Sequence, residues 1–108
     1  MDKLIDLDQF KELRDSGKTV FVFMTGWCPD CHYIRPFMPE VENKFTDFRF
    51  VEIDRDDFGT LGEALQISGI PSFVVYAEGE LLGRFVSRNR KTQKEIEAFA
   101  HQEDIDSK

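Results

Sequence analysis

Thr25-Gly26-Trp27-Cys28-Pro29-Asp30-Cys31 follows directly on Val20-Phe21-Val22-Phe23-Met24, and the reading of this junction decides the fold. The run 20–24 is apolar at every position, which suits a strand covered on both faces at the centre of a parallel or mixed sheet. Helices are then expected on both sides of it. Pro29 fits the first position of a helix, where its missing N–H costs nothing, so a buried strand is expected to feed a helix at the Cys28-Pro29 step.

Two residues separate the chain's only cysteines. On the first turn of a helix that i, i+3 spacing brings both thiols to one face, close enough for a disulfide after small adjustments. They are not equivalent. Cys28 lies at the helix mouth, where free backbone N–H groups and the positive end of the macrodipole favour negative charge, so it is the expected attacking sulfur. Cys31 lies one turn inside, where burial favours the neutral thiol until it attacks a mixed disulfide. Inert core cysteines and a zinc site remain as alternatives. The zinc site would have to add His32 and the remote His101, and His32 points about 100° away from Cys31 around the helix.

Working outward, Asp6 and Gln9 resemble a capping box, opening a helix with Leu7, Phe10 and Leu13 on one face, ended by Gly17. The helix after Cys28 carries Ile34, Phe37, Met38, Val41 and Phe45, and Pro36 and Pro39 must bend or shorten it. Phe48 to Ile53 reads as a second strand. Phe58, Leu61 and Leu65 then repeat at helical spacing, and the acidic turn Asp54 to Asp57 before them reads as helix N-terminal charge. As a calcium loop it fails, since Leu65 stands where a bidentate Glu is needed. Phe73 to Tyr76 and Leu81 to Val86 flank Glu78-Gly79 as a hairpin. Thr92 and Glu95 form a second capping box, opening a last helix that buries Ile96 and Phe99, and residues 102–108 read as a frayed tail. This order describes an α/β three-layer sandwich: a mixed central sheet of four to five strands flanked by helices on both faces, in a single domain over 1–108.

A chain of 108 residues can bury one core without disulfide staples. Its 14 basic and 21 acidic side chains give a net charge of −7, which argues against nucleic acid bound through phosphates. Arg88, Arg90, Lys91 and Lys94 form the longest basic cluster, read as a solvated loop and helix start. The N-terminus lacks the apolar region of a secretory signal, and no stretch approaches a membrane span. The expectation is a soluble, cytoplasmic, monomeric protein.

The segment around the two cysteines resembles the thioredoxin superfamily, and the likeness covers nearly the whole chain; a cytosolic Cys-x-x-Cys near a βαβ pattern is itself a general signature of such proteins. Pro36 follows Cys31 by five residues, as the family's helix-kinking proline does, and Ile70-Pro71-Ser72 resembles its cis-proline loop. Trp-Cys-Pro-Asp-Cys resembles a narrower set of thioredoxin-related proteins with Asp in the motif. The resemblance implies Cys28 as nucleophile, Cys31 as resolving thiol, and Trp27 as a shield. It implies Pro71 in cis facing the sulfurs, with the Ile70 backbone pairing with an extended substrate segment and Ser87 beside the groove. Pro29 and Asp30 are supporting residues.

The resemblance also implies a thiol–disulfide oxidoreductase that needs no bound cofactor. It would reduce disulfide-containing proteins and draw electrons from a flavoprotein of the thioredoxin-reductase type. Reduction of small disulfides such as cystine, or a redox-gated protein-binding module, are the competing readings. Departures from the family pattern are plain. Val22 stands where a buried Asp assists the resolving thiol, and Phe50 where its Lys partner falls. Asp30 is the nearest substitute proton acceptor, equally readable as a favourable helix N-terminal acid whose charge opposes a Cys28 thiolate. That opposition is expected to leave a reducing couple. His32 reads as a solvated rim residue or a partner in thiol titration, and the first edge strand as minimal or missing.

Overall fold

The computed structural model describes all 108 residues. In chain order it contains β1 (Asp2–Lys3), α1 (Leu7–Asp15), β2 (Lys18–Met24), α2 (Pro29–Ile34), a 3-10 turn (Arg35–Phe37), α3 (Met38–Lys44), β3 (Arg49–Asp54), α4 (Gly59–Ala64), β4 (Ser72–Ala77), β5 (Glu80–Phe85) and α5 (Gln93–Asp106). The five strands form one sheet in the order β1-β3-β2-β4-β5. β3 runs parallel to β1 and β2, while β4 runs antiparallel to β2 and β5, so the sheet is mixed. β1 is present and minimal.

The apolar run of β2 sits at the centre, and its alternate side chains feed two cores. Val20, Val22 and Met24 join Cys31, Ile34, Met38, Val41 and Ile96 beneath α2, α3 and α5. Phe21 and Phe23 join Phe10, Ile53 and Ile67 beneath α1 and α4. That is the three-layer arrangement expected from a strand buried on both sides.

Local sequence rules set several boundaries. Asp6 caps α1 by accepting the Gln9 N–H at 2.8 Å, but the Gln9 side chain returns to the N–H of Ile5 rather than to the cap itself. Pro36 breaks the long helix expected after Cys28 into α2, a 3-10 turn and α3. Glu78 and Gly79 both have positive φ, 49° and 86°, as a two-residue hairpin of matching twist requires. Thr92 and Glu95 form the reciprocal capping box of α5.

Two expectations are corrected. The first turn of α4 contains no acid, so Asp54 to Asp57 are not its N-terminal charges. Asp54 instead closes a turn, its Oδ1 accepting the N–H groups of Asp56 and Asp57 at 2.9 and 3.2 Å. Gln102 does not begin a frayed tail either, because α5 continues to Asp106 and buries Glu103. The Glu103 carboxylate lies where a Cβ on Gly83 of β5 would fall, so a side chain at residue 83 would have to displace it.

Burial, and secondarily the charge of Asp106, raises the Glu103 carboxyl above its ordinary range, and its Oε2 has no hydrogen-bond partner. A carboxyl raised in the folded state destabilises the fold once pH rises past the unfolded value. The penalty is absent at lower pH and complete above the folded value. Glu103→Gln is therefore expected to stabilise the protein by about 1 kcal/mol at pH 7 and by almost nothing at pH 4, as read from urea unfolding at the two pH values.

Candidate active site

Cys28 is the N-cap of α2, with extended backbone angles and Pro29 at the first helical position. Its Sγ accepts the N–H of Cys31 at 3.2 Å and lies 3.9 Å from the carbonyl oxygen of Ile70. The bond from Ile70 to Pro71 is cis. Both thiols are free, and Cys28 retains 5% of its exposure where Cys31 has none.

Burial pushes the Cys31 thiol up to about 12, and the neighbouring Cys28 pushes the same way. Hydrogen bonding to the Thr25 backbone and the charge of Arg35 oppose that rise. Arg35 follows Cys31 by one helical turn, and its guanidinium donates to both carboxylate oxygens of Glu52 at 3.0 and 2.9 Å. Glu52 is buried in β3 directly opposite Val22 of β2. So a buried acid does lie beside the position that Val22 leaves apolar. It stands one strand over and is paired with a guanidinium rather than with a lysine at Phe50.

Asp30 is held elsewhere. Its Oδ1 accepts from Arg90 Nε at 2.9 Å, and the Arg90 guanidinium also lies over the Tyr33 ring at 4.4 Å. This double contact latches the loop 87–91 onto α2 and sets a positive charge against Asp30, so the acid does not face a Cys28 thiolate alone. Lys91 is not solvated as its place in the basic cluster suggests: it lies buried beneath the latch, its Nζ donating to the carbonyls of Ser87 and Asn89 at 3.2 and 2.9 Å, 5.3 Å from the centre of the Phe85 ring. Burial lowers its pKa, against the nearby Asp30 and Cys31 charges.

Trp27 is 68% exposed, and its indole N–H donates to Asp56 Oδ2 at 2.7 Å. The acidic turn therefore orients the indole beside Cys28. His32 is exposed and donates through Nε2 to the carbonyl of Gly26 at 2.6 Å, which fixes the proton on that nitrogen. Ser87 spends its polar atoms on its own loop, its hydroxyl accepting from the Asn89 N–H and its carbonyl from Lys91. The cleft of about 360 Å³ beside Cys28 is reached from that loop by Arg88 instead.

The sequence brought Cys28, Cys31, Trp27, Ile70 and Pro71 to notice. It missed Arg35, Glu52, Asp56 and the Arg90 latch. A charged residue at an inner position of the strand Phe50-Val51-Glu52-Ile53, on the same face as Phe50, was the signal for the first pair. The latch joins residues 60 apart in the chain and left no local trace.

Comparison with known proteins agrees with this geometry. The thioredoxin family model matches residues 3–102. The H-type thioredoxin of Fagopyrum esculentum is 32% identical over 84 residues, 77% of this chain and 72% of its own. The thioredoxin of Oryctolagus cuniculus is 32% identical over 85 residues, 76% of this chain and 81% of its own. The crystal structure of mitochondrial thioredoxin 3 from Saccharomyces cerevisiae, in its oxidised form, superposes with a TM-score of 0.80 at 24% identity and 94% coverage of both chains, which carries the fold alone. With a family model spanning nearly all of its length and relatives above 30% identity, the chain belongs to the thioredoxin family and is a thiol–disulfide oxidoreductase acting on disulfide substrates.

Proposed function

We propose that this protein reduces disulfides in polypeptide substrates by cycling Cys28 and Cys31 between dithiol and disulfide. The observation that carries the reading is the unequal placement of two sulfurs three residues apart: one caps a helix at the mouth of a cleft, the other is sealed beneath it. Cys28, as thiolate, attacks one sulfur of the substrate disulfide and forms a mixed disulfide. The other substrate sulfur leaves with the electron pair and takes up a proton. Cys31 then loses its proton and attacks Cys28, closing the Cys28–Cys31 disulfide and releasing the second substrate sulfur as a thiol. Two electrons pass to the substrate.

In this reading Thr25 and Arg35 favour the negative charge that Cys31 must carry when it attacks. Trp27 and Ile70 line the cleft that receives the substrate, and Pro71 follows Ile70 through a cis bond. Pro29 sets the start of α2, Asp30 ties that helix to Arg90, and Ser87 holds the loop that borders the groove. A flavoprotein of the thioredoxin-reductase type would return the electrons to the disulfide. The cytoplasm, which keeps such a pair reduced, is the compartment proposed. No helix is long and apolar enough to cross a membrane.

The test compares insulin with cystine as electron acceptors for the fully reduced protein. Insulin disulfides are expected to be reduced at least about tenfold faster than cystine per unit concentration, the ratio that about 1.4 kcal/mol of added contact with a polypeptide gives. Faster reduction of cystine would assign the protein to small disulfides instead. If the reduced protein holds one oxidised partner without turning it over, the redox-gated module is the right description.

A further inference from the structure

We propose that the cleft beside Cys28 holds a carboxylate of the substrate polypeptide between Arg55 and Arg88, so that the protein prefers disulfides with acidic residues close by in the chain. This deepens the reading that Cys28 attacks polypeptide disulfides, and rests on it.

Both arginines line the same cleft as Trp27, Cys28, Gly69 and Ile70. Each is pinned through its Nε, Arg55 to the carbonyl of Ile67 and Arg88 to that of Ser68, both at 3.3 Å. The two guanidiniums thus grip adjacent residues of one loop and leave their terminal nitrogens without a protein partner. Of the other arginines, Arg14, Arg35 and Arg90 sit in ion pairs with carboxylates, while Arg49 and Arg84 spend their terminal nitrogens on main-chain carbonyls. Arg55 and Arg88 have no such partner, in a chain where acids outnumber bases by 21 to 14. The acid that shares the cleft, Asp56, gives its Oδ2 to the Trp27 indole and keeps its charge, which the two arginines together outweigh. Two unpaired, pre-positioned forks beside the reactive sulfur match what a carboxylate needs for charge-assisted hydrogen bonds.

The scaffold builds this arrangement. A Cβ on Gly69 would overlap the backbone of Ser87 and Arg88, so only glycine there lets the loop 87–91 close on the loop 67–70 and deliver Arg88 to the cleft. The aliphatic stem of Arg55 packs on Gly62, where an added Cβ would come to 3.4 Å of its Cγ. Holding the Arg55 stem, and both side chains at Nε, reduces the side-chain entropy lost when an anion binds. A polypeptide is the occupant favoured, because the cleft opens onto the exposed indole of Trp27, a flat apolar surface suited to a residue flanking the half-cystine. At about 3.4 Å per residue, a Glu within two or three positions of that cysteine would reach the arginines.

The experiment uses three synthetic peptides of equal length, each with one disulfide flanked by Glu, Gln or Lys, with insulin and oxidised glutathione as separate acceptors. Wild-type protein is expected to reduce the Glu peptide about tenfold faster in kcat/KM than the Lys peptide, chiefly through KM, with the gap shrinking at 0.5 M salt. Arg55→Gln combined with Arg88→Gln should bring the peptides to within about twofold of one another, while Lys3→Gln combined with Lys11→Gln keeps the preference. Equal rates on the three peptides in the wild type, or a preference that survives in the arginine variant, overturn the proposal. So does a loss confined to oxidised glutathione, which would make the occupant a small anionic disulfide. If neither insulin nor any peptide is reduced, the underlying polypeptide reading falls and takes the proposal with it.

Discussion

Cys31→Ser protein mixed with a polypeptide disulfide is expected to stop after one step, as a covalent adduct through Cys28, with turnover reduced at least about 10³-fold. The geometry explains why the block falls there. Cys28 keeps its position when residue 31 changes to Ser, because it is fixed by the main-chain N–H of residue 31 and by the Ile70 loop, neither of which needs the second sulfur. Attack on substrate therefore survives. Release fails, because no other sulfur exists in the chain to displace the substrate from Cys28 except those of methionine, which cannot form a disulfide. Cys28→Ser should show neither adduct nor turnover, since Cys31 has no exposed surface from which to attack. Mass spectrometry of the mixture separates the two: one adduct per chain for Cys31→Ser, none for Cys28→Ser. An adduct on Cys28→Ser of equal yield would reverse the assignment of roles.

Arg35→Gln has the second-largest expected effect, and it acts on stability and chemistry together. The substitution leaves the Glu52 carboxylate inside the sheet with neither of its two donors. Removing one partner of a fully buried pair costs roughly 3–5 kcal/mol; Arg35 is 39% exposed here, so a loss of about 2 kcal/mol is expected. Adding Glu52→Gln to the same protein should recover most of it, because the orphaned charge is then gone. The chemical effect has a defined sign. The Arg35 charge lowers the Cys31 pKa, so without it the thiol rises further and the pH dependence of mixed-disulfide resolution moves to higher pH. At pH 7 the resolution rate should fall, though by less than about fivefold, because Arg35 is the weakest of the influences on the thiol and its charge is partly screened by solvent. Stopped-flow measurement of that step against pH checks the chemistry, and urea unfolding checks the stability. A purely structural role for Arg35 would change the second and leave the first in place.

Most of the fold was legible because its main determinants are local. The unbroken apolar run of β2, the positive-φ pair Glu78-Gly79 and the reciprocal Thr92 and Glu95 cap each act within a few residues, and the structure contains all three. The cysteine pair was legible for the same reason. What escaped depended on side chains meeting across the fold. Asp54 to Asp57 looked like helix charges because α4 follows them, yet Asp54 closes its own turn and Asp56 crosses to Trp27. The end of α5 read as a frayed tail from Gln102 onward, yet the helix continues to Asp106 and Glu103 lies buried over Gly83, a contact between distant residues that leaves no local mark in the sequence. Glu52 and Arg35 are 17 residues apart, and only the parallel register of β2 and β3 reveals that their pair lies beside Val22.

The two-residue strand β1 has a consequence for solubility. Asp2 and Lys3 pair with Val51 and Glu52, and Leu4 donates its N–H to the Glu52 carbonyl at 2.8 Å, so these few residues occupy the outer rim of β3. Without them the sheet would present bare main-chain groups along a strand that is largely buried, a template on which a neighbouring molecule could add its own strand. The first four residues therefore act as a selvedge that keeps the weave from unravelling into its neighbours, and a fusion or tag placed there would meet that constraint before any other.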